Sequence, residues 1–191
     1  MDEEEPLPPS LTPNISVSNS NTIYFYDVID DRNILLLKNI IDNMNYKLTK
    51  QSHKYDFEPV IHLHINSPGG SCFGGLHCYS FIKINPVKIY TYIDGQIASS
   101  ATLMYLGGSQ RYIYKTSFML IHQLSINGFS GKFSDVNDEH MNLNTIMDSI
   151  RQIYIDSGKI KKKTQIDKML NNEQTFNYKQ ILEYGYADIL L

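Results

Sequence analysis

Short apolar strands that run straight into glycine turns and then into helices constrain this 191-residue chain more than any other feature. Residues 60–65 alternate, Ile61, Leu63 and Ile65 on one face and His62 and His64 on the other, and lead into Asn66-Ser67-Pro68-Gly69-Gly70. A helix is predicted over 71–82, and Asn85-Pro86 turns the chain into a second strand at 87–93. Asp94-Gly95-Gln96 bends out of that strand, and a helix over 98–106 closes on Gly107-Gly108. Two more strands are expected at 111–114 and 118–121. Strands alternating with helices predict an α/β domain built from βαβ crossovers.

The flanks follow the same logic. A strand at 23–26 precedes a helix that begins at Asp30-Asp31, carries Ile34, Leu37, Ile41 and Met44 on one stripe, and gives way to a polar loop at 51–58. Ser134 or Asp135 can cap a long helix with Leu143, Met147, Ile150 and Tyr154 on one side, ended by Ser157-Gly158. Two short helices follow, where Thr164 with Asp167 and Asn177 with Gln180 each resemble a capping box. Four of the seven prolines precede residue 14, beside an acidic cluster and a Ser/Asn-rich stretch. Residues 1–21 are therefore expected to be a flexible tail and residues 22–191 a single domain.

Charge and composition narrow the function classes. A net charge of −3 gives no broad basic footprint for nucleic acid. No apolar stretch reaches the roughly 18 residues of a membrane span, and the acidic start lacks the basic region of a secretory signal. Cys72 and Cys78 have no metal or redox spacing, so a reducing, cytoplasm-like compartment is expected. Lys159-Ile160-Lys161-Lys162-Lys163 reads as a solvated helix end rather than a nucleic-acid patch.

Three strand-end features carry chemistry. At Ser67-Pro68-Gly69-Gly70 the paired glycines let backbone N–H groups approach a ligand; taken alone, such a pair is more often a plain turn. In Gly95-Gln96-Ile97-Ala98-Ser99-Ser100, a serine sits at a helix N-terminus beside a free N–H, or simply caps a packed helix. His122 ends the apolar strand Met119-Leu120-Ile121, where a neutral imidazole near a serine hydroxyl would be a general base. His62 and His64 have i, i+2 spacing but no evident third metal ligand.

Together, Ile65-Asn66-Ser67-Pro68-Gly69-Gly70, Gly95-Gln96-Ile97-Ala98-Ser99 and Met119-Leu120-Ile121-His122-Gln123 resemble, in order and spacing, the proteolytic subunit of the Clp protease family. Glu183-Tyr184-Gly185-Tyr186-Ala187-Asp188 resembles its closing motif, and the long helix its handle. The resemblance implies an α/β crotonase-like (ClpP-type) fold and a ring-forming serine peptidase. It implies Ser99 as nucleophile, His122 as general base, and the Gly70 and Ser100 N–H groups as the oxyanion hole. Gly128, Phe129, Ser130 and Gly131 stand where the family pairs with an extended substrate as an added strand. It further implies stacked heptameric rings (a tetradecamer), peptide or unfolded-protein substrates, a Clp-type AAA+ ATPase partner and no cofactor.

The chain departs from the family at the third catalytic residue, where the expected Asp falls on Glu173, with Asn172 just before it. Glu can orient a histidine in place of Asp. Asn172, Asp167 or no acid at all are the alternatives. Asn171-Asn172 also replaces the family's ring-bridging Arg, and His62 and His64 stand where aromatic residues of the ATPase-loop pocket are usual. Two rivals follow. One is a catalytically inactive ring subunit that partners an active paralogue; the other is an acyl-CoA enzyme of the same fold.

Overall fold

The computed structural model describes residues 14–18, 21–126, 128 and 130–191. Eight strands, β1 (Ile15–Ser18), β2 (Thr22–Phe25), β3 (Val60–Ser67), β4 (Lys88–Ala98), β5 (Gln110–Ile113), β6 (Phe118–Ile121), β7 (Gln174–Asn177) and β8 (Ile189–Leu190), form one sheet in the order β1-β2-β3-β4-β5-β8, with β6 joined to β4 and β7 to β6. Strands β2, β3, β4, β5 and β8 run parallel to one another, and β6 runs parallel to β4. The α/β expectation holds. The predicted alternation in β3 is present: Ile61, Leu63 and Ile65 are fully buried, while His62 and His64 lie half-buried on the opposite face.

The antiparallel edge strand β1 (Ile15–Ser18) corrects the expectation of a tail through residue 21. Its register against β2 runs from Ile15 opposite Phe25 to Ser18 opposite Thr22. Four exposed or half-buried residues carry no strand signature of their own; the sheet edge supplies their partners. The prolines of the predicted tail fall among residues 1–13, outside the described residues.

Helix α1 (Asp31–Tyr55) is capped by Asp30, whose carboxylate accepts from the Asn33 N–H at 2.7 Å. Ile34, Leu37, Ile41, Met44 and Leu48 form its buried stripe. The helix runs through the predicted polar loop to a left-handed cap at Asp56, φ 50°. Its last turns are solvated, and His53 and Lys54 there suit the negative end of the helix dipole.

Helix α2 (Cys72–Lys83) follows β3, and α3 (Ser100–Leu106) follows β4 with all seven residues buried. Strand β4 is the element that places the site. Its first half pairs with β5 and its second half, Gln96 to Ala98, with β6. The predicted bend survives as an irregularity inside the strand: the two steps of β3 from Ile65 to Ser67 span Ile93 to Ile97 of β4, and Gly95 has φ 87°.

Helix α4 (Phe133–Ser157) buries only Met147, Ile150 and Tyr154, all in its second half. It starts one residue before the predicted caps, with the Lys132 N–H donating to Asp135 at 2.9 Å. Beyond it come α5 (Lys163–Asn171), β7 (Gln174–Asn177) and α6 (Tyr178–Glu183). Asn177 and Gln180 make the reciprocal cap predicted for α6. Thr164 does not cap α5, and its expected partner Asp167 instead binds Arg151 at 2.5 Å. The chain end is fastened by Arg111, whose guanidinium binds Asp188 in a two-pronged pair and donates to the Ser157 carbonyl at 2.8 Å.

Candidate active site

Ser99 stands between β4 and α3 with φ 55° and ψ −129°, a conformation that L-residues with a side chain seldom adopt. Such strain costs about 1–3 kcal/mol and persists only where the surroundings impose it. Here both ends of the residue are tied. Its N–H donates to Leu120 of β6 at 3.0 Å, and its carbonyl accepts from the Thr102 N–H and hydroxyl at 3.0 and 2.6 Å. The sharp strand-to-helix turn has the logic of a nucleophile elbow without its usual glycine pattern. Gly69 makes the turn sterically feasible: a Cβ there would lie 2.6 Å from the Ala98 carbonyl oxygen and 2.8 Å from the Ser99 Cβ.

Gly70 forms a parallel bridge with Ile29 through its neighbours. Ile29 donates to the Gly69 carbonyl at 2.8 Å and accepts from the Ser71 N–H at 2.7 Å. Both bonds on that side are thus made by residues 69 and 71, which leaves the N–H of Gly70 itself directed away from Ile29. Gly70 has φ 147°, and a Cβ would meet the Ile29 carbonyl oxygen at 2.3 Å. The Ser100 N–H belongs to the first turn of α3, where no intrahelical acceptor exists.

Gly70, Ser99, Ser100 and His122 line one cavity of about 110 Å³. His122 follows β6 directly, and its Nδ1 lies 2.6 Å from the Gln123 carbonyl oxygen. A carbonyl can only accept, so Nδ1 carries a proton, and in the neutral ring the lone pair is on Nε2, the tautomer a general base requires.

Glu173 does not line that cavity. It is exposed, with φ 47°, in the turn between α5 and β7. Its position is nonetheless informative. The antiparallel register of β6 with β7 runs from Phe118 opposite Asn177 to Ile121 opposite Gln174. One further step sets His122 opposite Glu173. The Gln123 N–H donating to Leu170 at 3.0 Å holds the two segments together just beyond. Of the alternatives, Asn172 is exposed and ends α5, and Asp167 is engaged by Arg151.

Gly128, Ser130 and Gly131 are exposed and belong to no strand; Phe129 lies outside the described residues. The histidines of β3 are held by neighbours, His62 by the Tyr92 hydroxyl at 2.7 Å and His64 by Asp94 at 2.9 Å, with the His64 ring stacked on Tyr92. Burial, and then the neighbouring His64, lower the pKa of His62. Among the described residues no three His, Cys, Asp or Glu side chains gather as metal ligands.

The structure adds wall residues from α4 that sequence reasoning did not place at the site. Ile150 and Tyr154 reach the cavity from α4, and Cys72 from α2. The Tyr154 hydroxyl shares a 2.5 Å hydrogen bond with Thr102, which ties α4 to the helix behind Ser99. The i, i+3, i+7 stripe at 147, 150 and 154 was the available signal; that it faces a cavity was not contained in it. Burial raises the Cys72 thiol pKa and pushes that of Cys78 up to about 12, so both stay protonated at neutral pH.

The sequence model of the family described as Clp protease matches residues 17–191. The "ATP-dependent Clp protease proteolytic subunit 1" of Rhodopirellula baltica is 32% identical over 133 residues, 69% of this chain and 58% of that protein. The "ATP-dependent Clp protease proteolytic subunit" of Bdellovibrio bacteriovorus is 30% identical over 156 residues, 76% of this chain and 74% of that protein. Among solved structures, a ClpP1 mutant from Listeria monocytogenes superposes with a TM-score of 0.76 at 16% identity, covering 91% of this chain and 92% of that one. That likeness concerns the fold.

Proposed function

The chain belongs to the Clp protease family, and from that premise we propose that it is a serine endopeptidase that hydrolyses peptide bonds inside an oligomeric chamber. The observation that carries the reading is the single cavity shared by Ser99 in its strained turn, the His122 ring and the two glycine- and serine-borne N–H groups.

In this reading the Ser99 hydroxyl attacks the scissile carbonyl carbon as its proton passes to His122 Nε2. The oxyanion that forms accepts hydrogen bonds from the Gly70 and Ser100 N–H groups, each worth about 100- to 1,000-fold in rate. The imidazolium then gives its proton to the departing amine, and a water repeats the sequence on the acyl-enzyme. Glu173 takes the part of the orienting acid. Its register opposite His122 supports this. Apo catalytic hydrogen bonds are often unformed, and Nδ1 would exchange the Gln123 carbonyl for the carboxylate as the site is assembled.

The wider proposal is a single peptidase domain that takes in β1 and runs to residue 191, and that assembles into stacked heptameric rings in a cytoplasm-like compartment. A Clp-type AAA+ ATPase would feed it unfolded protein. Substrate would be held by main-chain pairing along 128–131. Among the described residues no helix is long and apolar enough to cross a membrane.

One observation favours a second reading. His122 Nδ1 is bonded to a backbone carbonyl and Glu173 is exposed, as suits a structural ring subunit that partners an active paralogue. Hydrolysis of an unstructured fluorogenic peptide by purified protein, with particle mass recorded and Ser99→Ala and His122→Ala as controls, separates the two. Turnover that both substitutions abolish supports the peptidase. Intact rings without turnover support the structural subunit.

A further inference from the structure

The peptide that joins Ser99 to Ser100 carries two groups with opposite duties. Its nitrogen bears the Ser100 N–H of the proposed oxyanion hole, and its carbonyl is that of Ser99. A trans peptide is planar, so the two groups point in opposite directions and neither turns without the other. Whatever fixes the Ser99 carbonyl therefore aims the Ser100 N–H. The aim matters here because Ser99, at φ 55°, holds a conformation the chain would leave if released.

The carbonyl is gripped from α3. It accepts from the Thr102 N–H at 3.0 Å, a backbone bond, and from the Thr102 hydroxyl at 2.6 Å, a bond that only this side chain supplies. Thr102 is fully buried, and its hydroxyl also meets the Tyr154 hydroxyl at 2.5 Å. Thr102 has one hydroxyl proton and the Ser99 carbonyl takes it, so Tyr154 is the donor to Thr102. Tyr154 is 2% exposed, and burial raises its pKa, so it keeps that proton. The result is a one-way chain from the Tyr154 O–H to Thr102 Oγ1 and from the Thr102 O–H to the Ser99 oxygen, in a buried setting where each bond polarises the next. A Cβ on Gly69 would lie 3.1 Å from the Ser100 nitrogen, which places that nitrogen beside the loop that carries the Gly70 N–H.

We infer that Thr102 and Tyr154 are positioning residues of the reaction: their hydroxyl chain holds the Ser99–Ser100 peptide so that the Ser100 N–H meets the oxyanion as it forms. The inference rests on the peptidase reading and draws α4 into its chemistry through Tyr154. Both hydroxyls act through the peptide and not on the substrate. The oxyanion exists only from the transition state onward, so a misaimed donor lowers kcat and leaves KM nearly untouched.

The test uses the full-length assembled protein, with particle mass recorded, and measures peptide kcat, KM and thermal unfolding for four variants. Thr102→Val removes the hydroxyl at nearly constant volume and should lower kcat about three- to tenfold, with KM within about twofold of wild type. Thr102→Ser restores the hydroxyl and should return kcat to within about twofold of wild type. Tyr154→Phe keeps the ring and should fall between. The double variant Thr102→Val/Tyr154→Phe separates aim from stability. It leaves no buried hydroxyl without a partner, so it should unfold at a higher temperature than Thr102→Val, yet its kcat should stay as low. A kcat that recovers with stability in the double variant overturns the inference and leaves the peptidase standing. So does a kcat that Thr102→Val leaves unchanged, or a loss expressed in KM. No cleavage by intact wild-type assemblies overturns both.

Discussion

Replacing Gly70 by alanine tests whether the Ile29–Gly70 contact holds an oxyanion donor in place. Two costs can be read from the structure. The backbone has φ 147°, disfavoured for any residue with a Cβ, at about 1–3 kcal/mol. The new Cβ would also lie 2.3 Å from the Ile29 carbonyl oxygen and 3.1 Å from the Ile29 N and C. These are backbone atoms that cannot swing aside. Relief means parting the bridge and weakening its two hydrogen bonds, at about 0.5–1.5 kcal/mol each. The total is roughly 2–6 kcal/mol, or about 4–24 °C in Tm for a chain of this size. Gly95 provides the control, since its φ is also positive, at 87°, but the nearest atom to its Cβ would be Asn66 Nδ2 at 3.8 Å. Gly95→Ala should therefore show the dihedral cost alone. Thermal unfolding by circular dichroism at fixed protein concentration, paired with peptide kcat, reads both effects. Gly70→Ala should be the less stable of the two and should lose about 100- to 1,000-fold in kcat as its N–H moves. Equal stability and equal activity in the two variants would refute the reasoning.

Three further outcomes follow. Glu173→Gln should lower kcat by about 10²- to 10⁴-fold, the upper end being the loss for Asp→Asn in the chymotrypsin-class example; an unchanged kcat would remove Glu173 from the mechanism. Thr102→Val should cost about 1–3 kcal/mol in urea unfolding by leaving the buried Tyr154 hydroxyl without its partner. Alkali should destabilise the fold. Cys78 and Tyr92 have folded pKa values raised to about 12, chiefly by burial, from ordinary values near 9 and 10. Their contribution is full below the unfolded pKa and is lost as pH rises from about 9 to 12, because only the unfolded chain ionises there. Urea midpoints at pH 8 and 11 check this, and Cys78→Ala should flatten the decline.

What was legible beforehand was whatever short-range pattern encodes. The alternation of Ile61, Leu63 and Ile65, the Ser67-to-Gly70 turn and the serine after Ala98 were all readable from neighbours. Strands β1, β7 and β8 were not. Gln174-Thr175-Phe176-Asn177 has a single buried residue and becomes a strand because β6 lies beside it. That pairing is what brings Glu173 opposite His122, a juxtaposition that no local pattern in the sequence contains. Residues 51–55 show the converse error: a polar run was read as loop, although nothing in it opposes continuing a helix already nucleated by α1. The strained backbone of Ser99 was out of reach for a different reason. Its positive φ is imposed by β6, by Thr102 and by the close approach of Gly69, contacts distant in sequence or visible only once the turn is built.

Covalent labelling tests the activated serine most directly. A fluorophosphonate should react with intact oligomers at the Ser99 peptide, identified by mass spectrometry, and should fail with Ser99→Ala and slow sharply with His122→Ala. Intact rings that take no label, or label that persists in Ser99→Ala, would contradict the assignment of Ser99 as the nucleophile.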